Sequence, residues 1–421
     1  MRQINVFINQ TGIGTLFEDN DIWSFQYHSQ WLNAPDNYAI SPYIPLSADK
    51  QTDGSTHRHI QWFFDNLLPE EGARNLLAHD IKVDSADAFG ILAVVGAESA
   101  GALTLTAGQA SSNNGTIELT PHDLNDRINA LPDIPLNNKD SKRMSIAGAQ
   151  HKMLLIKHNE QFFEPVGYMP SSHILKPEHT KPQYYWQTVR NEWFVMQLAG
   201  ELGLNVATTE VHYLPAPVYI IKRFDRQNEY PNQTRVHTLD GCQLLGLSRS
   251  TKYQQSNVTQ LNRISEMVRN KGAAKLIIFN WAVFNALVGN TDAHLKNLSC
   301  LVTPGGYTLS PLYDLLSTAI YEDGEGDKHL QTELSQPMGT ANYLGDLRRK
   351  DVLVFGQALG LPQAILQRQL DNMTSTIIKK ADALIAQVEA LPGITNKAGE
   401  LRMLREIRYK MIAEMVNRLK G

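Results

Sequence analysis

Apolar and polar residues alternate through NVFINQTGIGTLF (residues 5–17), which predicts a β-hairpin around a glycine-bearing turn. The period then lengthens. HIQWFFDNLLPE (59–70) has helical spacing and stops at Pro69, and DAFGILAVVG (87–96) is a second helical run. AGQASSNNG (107–115) is small and polar, a loop, and PDIPLNNKDSKR (132–143) marks a boundary with two prolines before polar and charged residues. MLLIKH (153–158) and QFFEPV (161–166) flank Asn159-Glu160 as a second hairpin, and SHILKP (172–177) is a further short strand. NEWFVMQLAGELGL (191–204) returns to helical spacing, with Gly203 as its stop, and PVYIIKRFD (217–225) is a β-branched and aromatic strand. Beyond it the pattern turns helical, strongest at AAKLIIFNWAVFNALVG (273–289). LSCLVT and GYTLSP (298–303 and 306–311) form a hairpin across Pro304-Gly305, and almost everything after residue 345 is helical.

The pattern divides the chain into an N-terminal α/β subdomain (1–135), a strand-rich lobe (136–226) and a helical lobe (227–421), an α+β fold class. Its 421 residues can bury a large core, and 42% hydrophobic with 19% charged residues is ordinary for a globular protein. A net charge of −4 provides no global basic field, so any nucleic-acid contact needs a local patch. The two cysteines, Cys242 and Cys300, provide neither a disulfide framework nor a Cys-based zinc site, which fits a reducing cytoplasm. MRQINVFINQTGIG does not read as a signal peptide, and the longest apolar stretch, 276–289, is short for a bilayer and broken by asparagines, so no membrane partner is expected. The histidines at 57 and 59 lack further ligands at zinc spacing and read as surface residues.

The chemistry concentrates in GNTDAHLKN (289–297), between an apolar helix and a hairpin. Asp292 and Asn297 are separated by four residues, the Asp-x-x-x-x-Asn spacing of a kinase catalytic loop: a carboxylate takes the proton of the attacking hydroxyl while a carboxamide oxygen holds Mg²⁺. The same spacing also suits a capped turn, but the hairpin that follows delivers Asp314 in SPLYDLL (310–316), where a kinase carries its second metal-binding aspartate. SIAGAQHK (145–152) lies between two strands and lacks the Gly-Lys-Ser/Thr of a Walker loop. Its small residues Ala147, Gly148 and Ala149 suit either a hairpin turn or a loop presenting backbone N–H groups to phosphates. Lys176 in HILKP needs an anion if it points inward, and Glu192 could pair with it. Lys222, Arg223 and Phe224 occupy the strand joining the two lobes, where a kinase binds adenine through backbone groups.

Taken together, SIAGAQHK, HILKP, NEWFVMQLAGELGL, IIKRFDR, GNTDAHLKN and LSPLYDL, with WFFDNLLPE (62–70) and VGAESAGALTL (95–105), resemble the HipA family of serine/threonine-protein kinases, toxins of bacterial type II toxin–antitoxin modules. The resemblance spans nearly the whole chain and implies a protein-kinase-like two-lobed fold with an all-helical C-terminal lobe. It implies Asp292 as catalytic base and Asn297 and Asp314 as Mg²⁺ ligands. Ala147, Gly148, Ala149, Gln150, His151 and Lys152 would form the phosphate loop, Lys176 would pair with phosphates, and Lys222, Arg223 and Phe224 would hold the adenine of ATP. His294, Leu295, Lys296 and Asn297, with Tyr313 and Asp314, would complete the nucleotide site. Ser145 matches the serine whose autophosphorylation ejects the loop. The implied partners are a dimeric helix-turn-helix antitoxin (HipB-like), operator DNA through that complex, and a protein substrate such as an aminoacyl-tRNA synthetase, in the cytoplasm or at the nucleoid. Two residues depart from the family pattern: Lys222 stands where a glutamate is usual, and His151 where an acidic residue is common.

Three other readings stay open at this stage: a small-molecule kinase with the same ATP site, a silent antitoxin- and DNA-binding module, and a DNA-binding repressor. The last is disfavoured by net charge and by the lack of a recognisable helix-turn-helix. The basic C-terminal stretch 399–421 reads as the solvated face of an amphipathic helix, with an antitoxin or DNA contact as its alternative.

Overall fold

The computed structural model describes residues 1–107, 115–131, 133–134, 136, 150–322 and 328–420. The chain divides into two compact units, one of Met1–Thr180, Ile220–Thr251 and Ser299–Tyr307, the other of Lys181–Tyr219, Lys252–Leu298 and Thr308–Gly421.

In the first unit the strands Arg2–Ile8 and Thr11–Asp19 form the expected hairpin. Its turn falls on Asn9-Gln10, with Asn9 left-handed at φ 53°, and not on a glycine. Asparagine tolerates that conformation because its short side chain bonds locally. Gly14 instead sits within the strand, where a Cβ would come 2.5 Å from the Phe25 ring. Ile22–Tyr27, Gln51–Thr52 and Leu103–Thr106 complete a five-stranded sheet in the order 51–52, 22–27, 11–19, 2–8, 103–106. Its buried face carries Ile4, Val6, Leu16 and Phe25. The helices His59–Asp65 and Ala88–Val95 cover this core, with Phe64 and Phe89 meeting Phe25 and Trp23.

A second sheet includes, as successive neighbours in this unit, the strands 173–177, 153–158, 161–166 and 115–119. Asn159 and Glu160 both have positive φ (48° and 63°), the requirement of a tight type I′ turn that matches strand twist. The loop at 107–115 and the boundary at 132–143 lie mostly outside the described residues.

The second unit is built on helices, among them Thr188–Glu201, Val258–Met267, Lys271–Val288, Arg349–Ala358 and Gln363–Ala390. Thr188–Glu201 begins three residues before the spacing predicts, so Glu192 lies inside the helix and is buried. Lys271–Val288 starts two residues earlier than expected and reaches a length and apolar content sufficient to cross a bilayer, but most of it is buried in the protein. A short hairpin, Glu333–Met338 with Ala341–Tyr343, interrupts the helical region and has no strong alternation to announce it. The C-terminal helix Lys397–Glu406 runs through a π turn at Ile407–Ile412 into Ala413–Leu419. Its basic residues are matched by neighbours: Arg408 with Asp382 (2.7 Å), Arg405 with Glu389 (3.5 Å) and Arg418 with Glu414 (2.7 Å).

Candidate active site

The helix Lys271–Val288 ends at Gly289, left-handed at φ 67°, where a Cβ would come 2.7 Å from the Met411 side chain. Glycine is required there twice, for the dihedral and for the space. The loop beyond is held by its own polar residues. Asn290 donates to the Asn285 side chain at 2.9 Å and accepts the Asp292 N–H at 3.2 Å. His294 N–H closes on the Asp292 carbonyl at 2.8 Å, and Leu295–Asn297 form one 3₁₀ turn. His294, Leu295, Lys296 and Asn297 are buried, and Asp292 is half-buried.

This turn brings the two distant halves of the sequence pattern together: Asn297 Nδ2 donates to Asp314 Oδ2 at 3.2 Å. Tyr313 Oη donates to the Lys296 carbonyl at 2.6 Å and ties the same two segments. Asp314 is left-handed, φ 59°, a conformation costing an ordinary residue about 1–2 kcal/mol and held only where the surroundings over-determine it. They do so on both sides. Leu312 exchanges backbone hydrogen bonds with Asn205 and Ala207, and Thr318 and Ala319 donate to the Gly289 carbonyl at 3.0 and 2.9 Å. Asn191 clasps the Ser317 backbone, and Thr318 Oγ1 accepts the Thr291 N–H at 2.7 Å.

Two tyrosines outside the sequence pattern belong to this neighbourhood. Tyr219 is wholly buried; burial first, then the negative charges of Glu192 and Asp314, push its phenol well above the ordinary value. Tyr253 Oη donates to Asp292 Oδ1 at 2.6 Å while its ring meets His294 edge-on at 4.9 Å. No local motif marks Tyr253; its contact spans 39 positions.

The nucleotide-side candidates belong to the first unit. Ser145, Ala147, Gly148 and Ala149 lie outside the described residues. Gln150 reaches the Pro177 carbonyl at 3.5 Å, Lys152 is half-buried, and burial lowers the His151 pKa. Lys176 is a buried lysine of the strand His173–Pro177. Lys222 is exposed and Phe224 half-buried. Arg223 is committed elsewhere: its N–H donates to the Ser172 carbonyl at 3.0 Å and its guanidinium lies in a buried ionic cluster. That cluster was not anticipated from sequence. Arg223 bonds Asp225 at 2.9 and 2.7 Å, and Arg226 reaches Glu98 at 2.7 Å. Arg235 also bonds Glu98, and Ser171 Oγ donates to it at 2.8 Å. Burial alone would raise the Asp225 pKa; Arg223 and Arg226 override it and hold the carboxyl down at about 2.

Among the described residues no three His, Cys, Asp or Glu side chains gather as a self-sufficient metal site. One carboxylate and one carboxamide, Asp314 and Asn297, are an oxygen-donor set of the kind Mg²⁺ takes when nucleotide phosphates complete its shell. The residues present therefore fit that ion arriving with a nucleotide.

The chain is similar to known proteins along most of its length. Residues 4–106 match the HipA N-terminal domain family and residues 144–382 the HipA-like C-terminal domain family. The serine/threonine-protein kinase toxin HipA of Shewanella oneidensis is 32% identical over 391 residues, 87% of this chain and 84% of the relative. The protein Y4mE of Sinorhizobium fredii is 31% identical over 392 residues, 89% and 90% of the two chains. A chain in the solved complex of Shewanella oneidensis HipA, HipB and operator DNA superposes with a TM-score of 0.81 at 26% identity, over 99% of both chains. With both family domains present and similarity along nearly its full length, the chain belongs to the HipA family of serine/threonine-protein kinases.

Proposed function

We propose that the chain is the toxin of a type II toxin–antitoxin module, moving the γ-phosphoryl group of ATP to a serine or threonine hydroxyl of a protein. The observation that carries this reading is the meeting of Asn297 and Asp314 at 3.2 Å, with Asp292 on the loop that leads into the Leu295–Asn297 turn. Asp292 orients the acceptor hydroxyl and takes its proton. Asn297 and Asp314 would hold Mg²⁺, which would supply positive charge at the phosphates. Gln150, His151 and Lys152, with Ala147 to Ala149, cover the phosphates; Lys176, buried on its strand, pairs with them. The adenine meets the backbone at Lys222 to Phe224, and His294 to Lys296 and Tyr313 shape the rest of the nucleotide site.

The partner of this reading is a helix-turn-helix antitoxin dimer that brings the kinase to operator DNA, as the HipA–HipB–DNA relative suggests. The substrate is a protein of translation, with an aminoacyl-tRNA synthetase as the leading candidate, whose phosphorylation in the cytoplasm arrests growth. Ser145 is the site of self-inactivation. Incubating the purified chain with labelled ATP, Mg²⁺ and cell lysate tests the reading. Protein label should appear with the natural chain and vanish with Asp292→Asn and Asp314→Asn; label confined to metabolites would instead assign a small-molecule kinase.

A further inference from the structure

Tyr253 places a hydroxyl where an acceptor hydroxyl belongs. Its Oη lies 2.6 Å from Asp292 Oδ1 and donates its proton to it, the contact a general base makes with the group it deprotonates. The side chain is half exposed, so the phenol is not a core hydrogen bond closed off from ligands. Nor is it a loose tail. The turn bearing it is tied to the catalytic loop from both ends: the Lys252 carbonyl accepts the Leu295 N–H at 3.5 Å, and Ser256 N–H closes on the Tyr253 carbonyl at 2.9 Å. Buried Ser256 accepts from Gln336 at 2.9 Å, and Gln336 also bonds the Ala293 carbonyl within that loop. The His294 ring, edge-on at 4.9 Å, fixes the direction of the phenol.

We propose that Tyr253 is an intramolecular phosphoryl acceptor of this kinase, a modification site set by its contact with Asp292. The proposal rests on the assignment of Asp292 as base. Asp292 Oδ1 takes the phenolic proton as the phenolic oxygen bonds the γ-phosphorus of ATP; the bond from that phosphorus to the β–γ bridging oxygen breaks and ADP leaves. The product sets a phosphate of about −1.5 to −2 charge beside the Asp292 carboxylate. Like-charge repulsion and bulk then close the site to other acceptors.

The full chain, first stripped by phosphatase, is incubated with Mg²⁺ and labelled ATP, digested with trypsin and mapped by fragmentation. Label is expected on Tyr253 within the peptide Tyr253–Arg263, distinguished from Ser256 and Thr259, with the fraction of chains labelled per unit time independent of enzyme concentration. Tyr253→Phe loses that label and keeps labelling lysate protein for longer than the natural chain. A natural chain that labels serine or threonine, in itself or in lysate, but leaves Tyr253 bare overturns the proposal and spares the kinase reading. A fraction labelled per unit time that rises with enzyme concentration overturns the intramolecular step. A chain that labels nothing overturns both.

Discussion

Asn191 holds the backbone of Ser317 from both directions: its Nδ2 donates to the Ser317 carbonyl at 2.8 Å and its Oδ1 accepts the Ser317 N–H at 2.8 Å. The same Nδ2 reaches Tyr321 Oη at 2.9 Å. Asn191 is fully buried, only two residues separate Ser317 from Asp314, and the clasp therefore anchors the left-handed aspartate.

Asn191→Ala leaves two buried backbone groups without partners, a cost of about 2–4 kcal/mol. Urea unfolding measures that loss. At a temperature where the variant is still fully folded, phosphoryl transfer is expected to fall further than the folded fraction does, because Asp314 is free to leave φ 59°. An unchanged rate in the folded variant would show that Leu312 and Thr318 suffice as anchors.

Asp314 itself separates charge from shape. Asparagine is tolerated in the left-handed region, so Asp314→Asn is expected to keep stability within about 1 kcal/mol. It removes the carboxylate, and the phosphoryl-transfer rate should drop about a hundredfold or more. Asp314→Ala adds about 1 kcal/mol of backbone strain to the same catalytic loss. Thermal melts and labelled-ATP assays on the two variants together distinguish a metal ligand from a turn residue.

These relationships differ in how far sequence alone could reach them. Asp292 and Asn297 lie on one short loop and Asn159-Glu160 on one hairpin, so each pair is close in the chain and visible as a local pattern. Asp314 follows Asn297 by a short, countable distance, because only the hairpin Ser299–Thr303 and Gly306–Leu309 lies between them. Asn191 meets Ser317 across 126 positions and Tyr253 meets Asp292 across 39, and neither pair has a periodic signature. The N-terminal turn was misplaced because glycine marks two things, a turn or a close approach, and at Gly14 it is the approach to Phe25. The strand of Arg223 carries the expected hinge role through its backbone, whereas the ionic partner of its side chain, Glu98, is brought near only by the fold.

His237 predicts an acid-side loss of stability. It is buried, stacked on Tyr38 at 5.9 Å, with Nε2 against the Ile40 carbonyl at 2.8 Å and Nδ1 without a partner. Burial pushes its pKa down from 6.5 to about 4, against a smaller upward pull from the Ile40 carbonyl. The unfolded chain therefore binds a proton that the folded chain refuses between those values. Stability falls as pH drops from about 6.5 to 4, by up to about 3 kcal/mol from this group. Urea midpoints across that range should show the slope, and His237→Gln should flatten it.

The Glu98 cluster predicts a salt-independent cost. Glu98 is completely buried and meets Arg223, Arg226 and Arg235 at once, so Glu98→Gln removes a carboxylate charge from three guanidinium groups, of which only Arg223 and Arg226 also meet Asp225. Breaking one partner of a buried ionic group costs about 3–5 kcal/mol. Because mobile ions do not reach the cluster, the loss should persist in about 1 M salt, where the Debye length is about 3 Å. Arg408 and Asp382 provide the contrast, a surface pair at 2.7 Å whose removal should cost under about 1 kcal/mol and less as salt rises. Asp225 adds a pH signature. Its folded pKa of about 2 lies below the ordinary 3.8, so its contribution is complete above pH 4 and is lost only as pH falls toward 2. Unfolding of Glu98→Gln and Arg408→Ala in low and high salt, followed by fluorescence, checks the contrast; a Glu98→Gln loss that disappears in high salt would mean that solvent reaches the cluster.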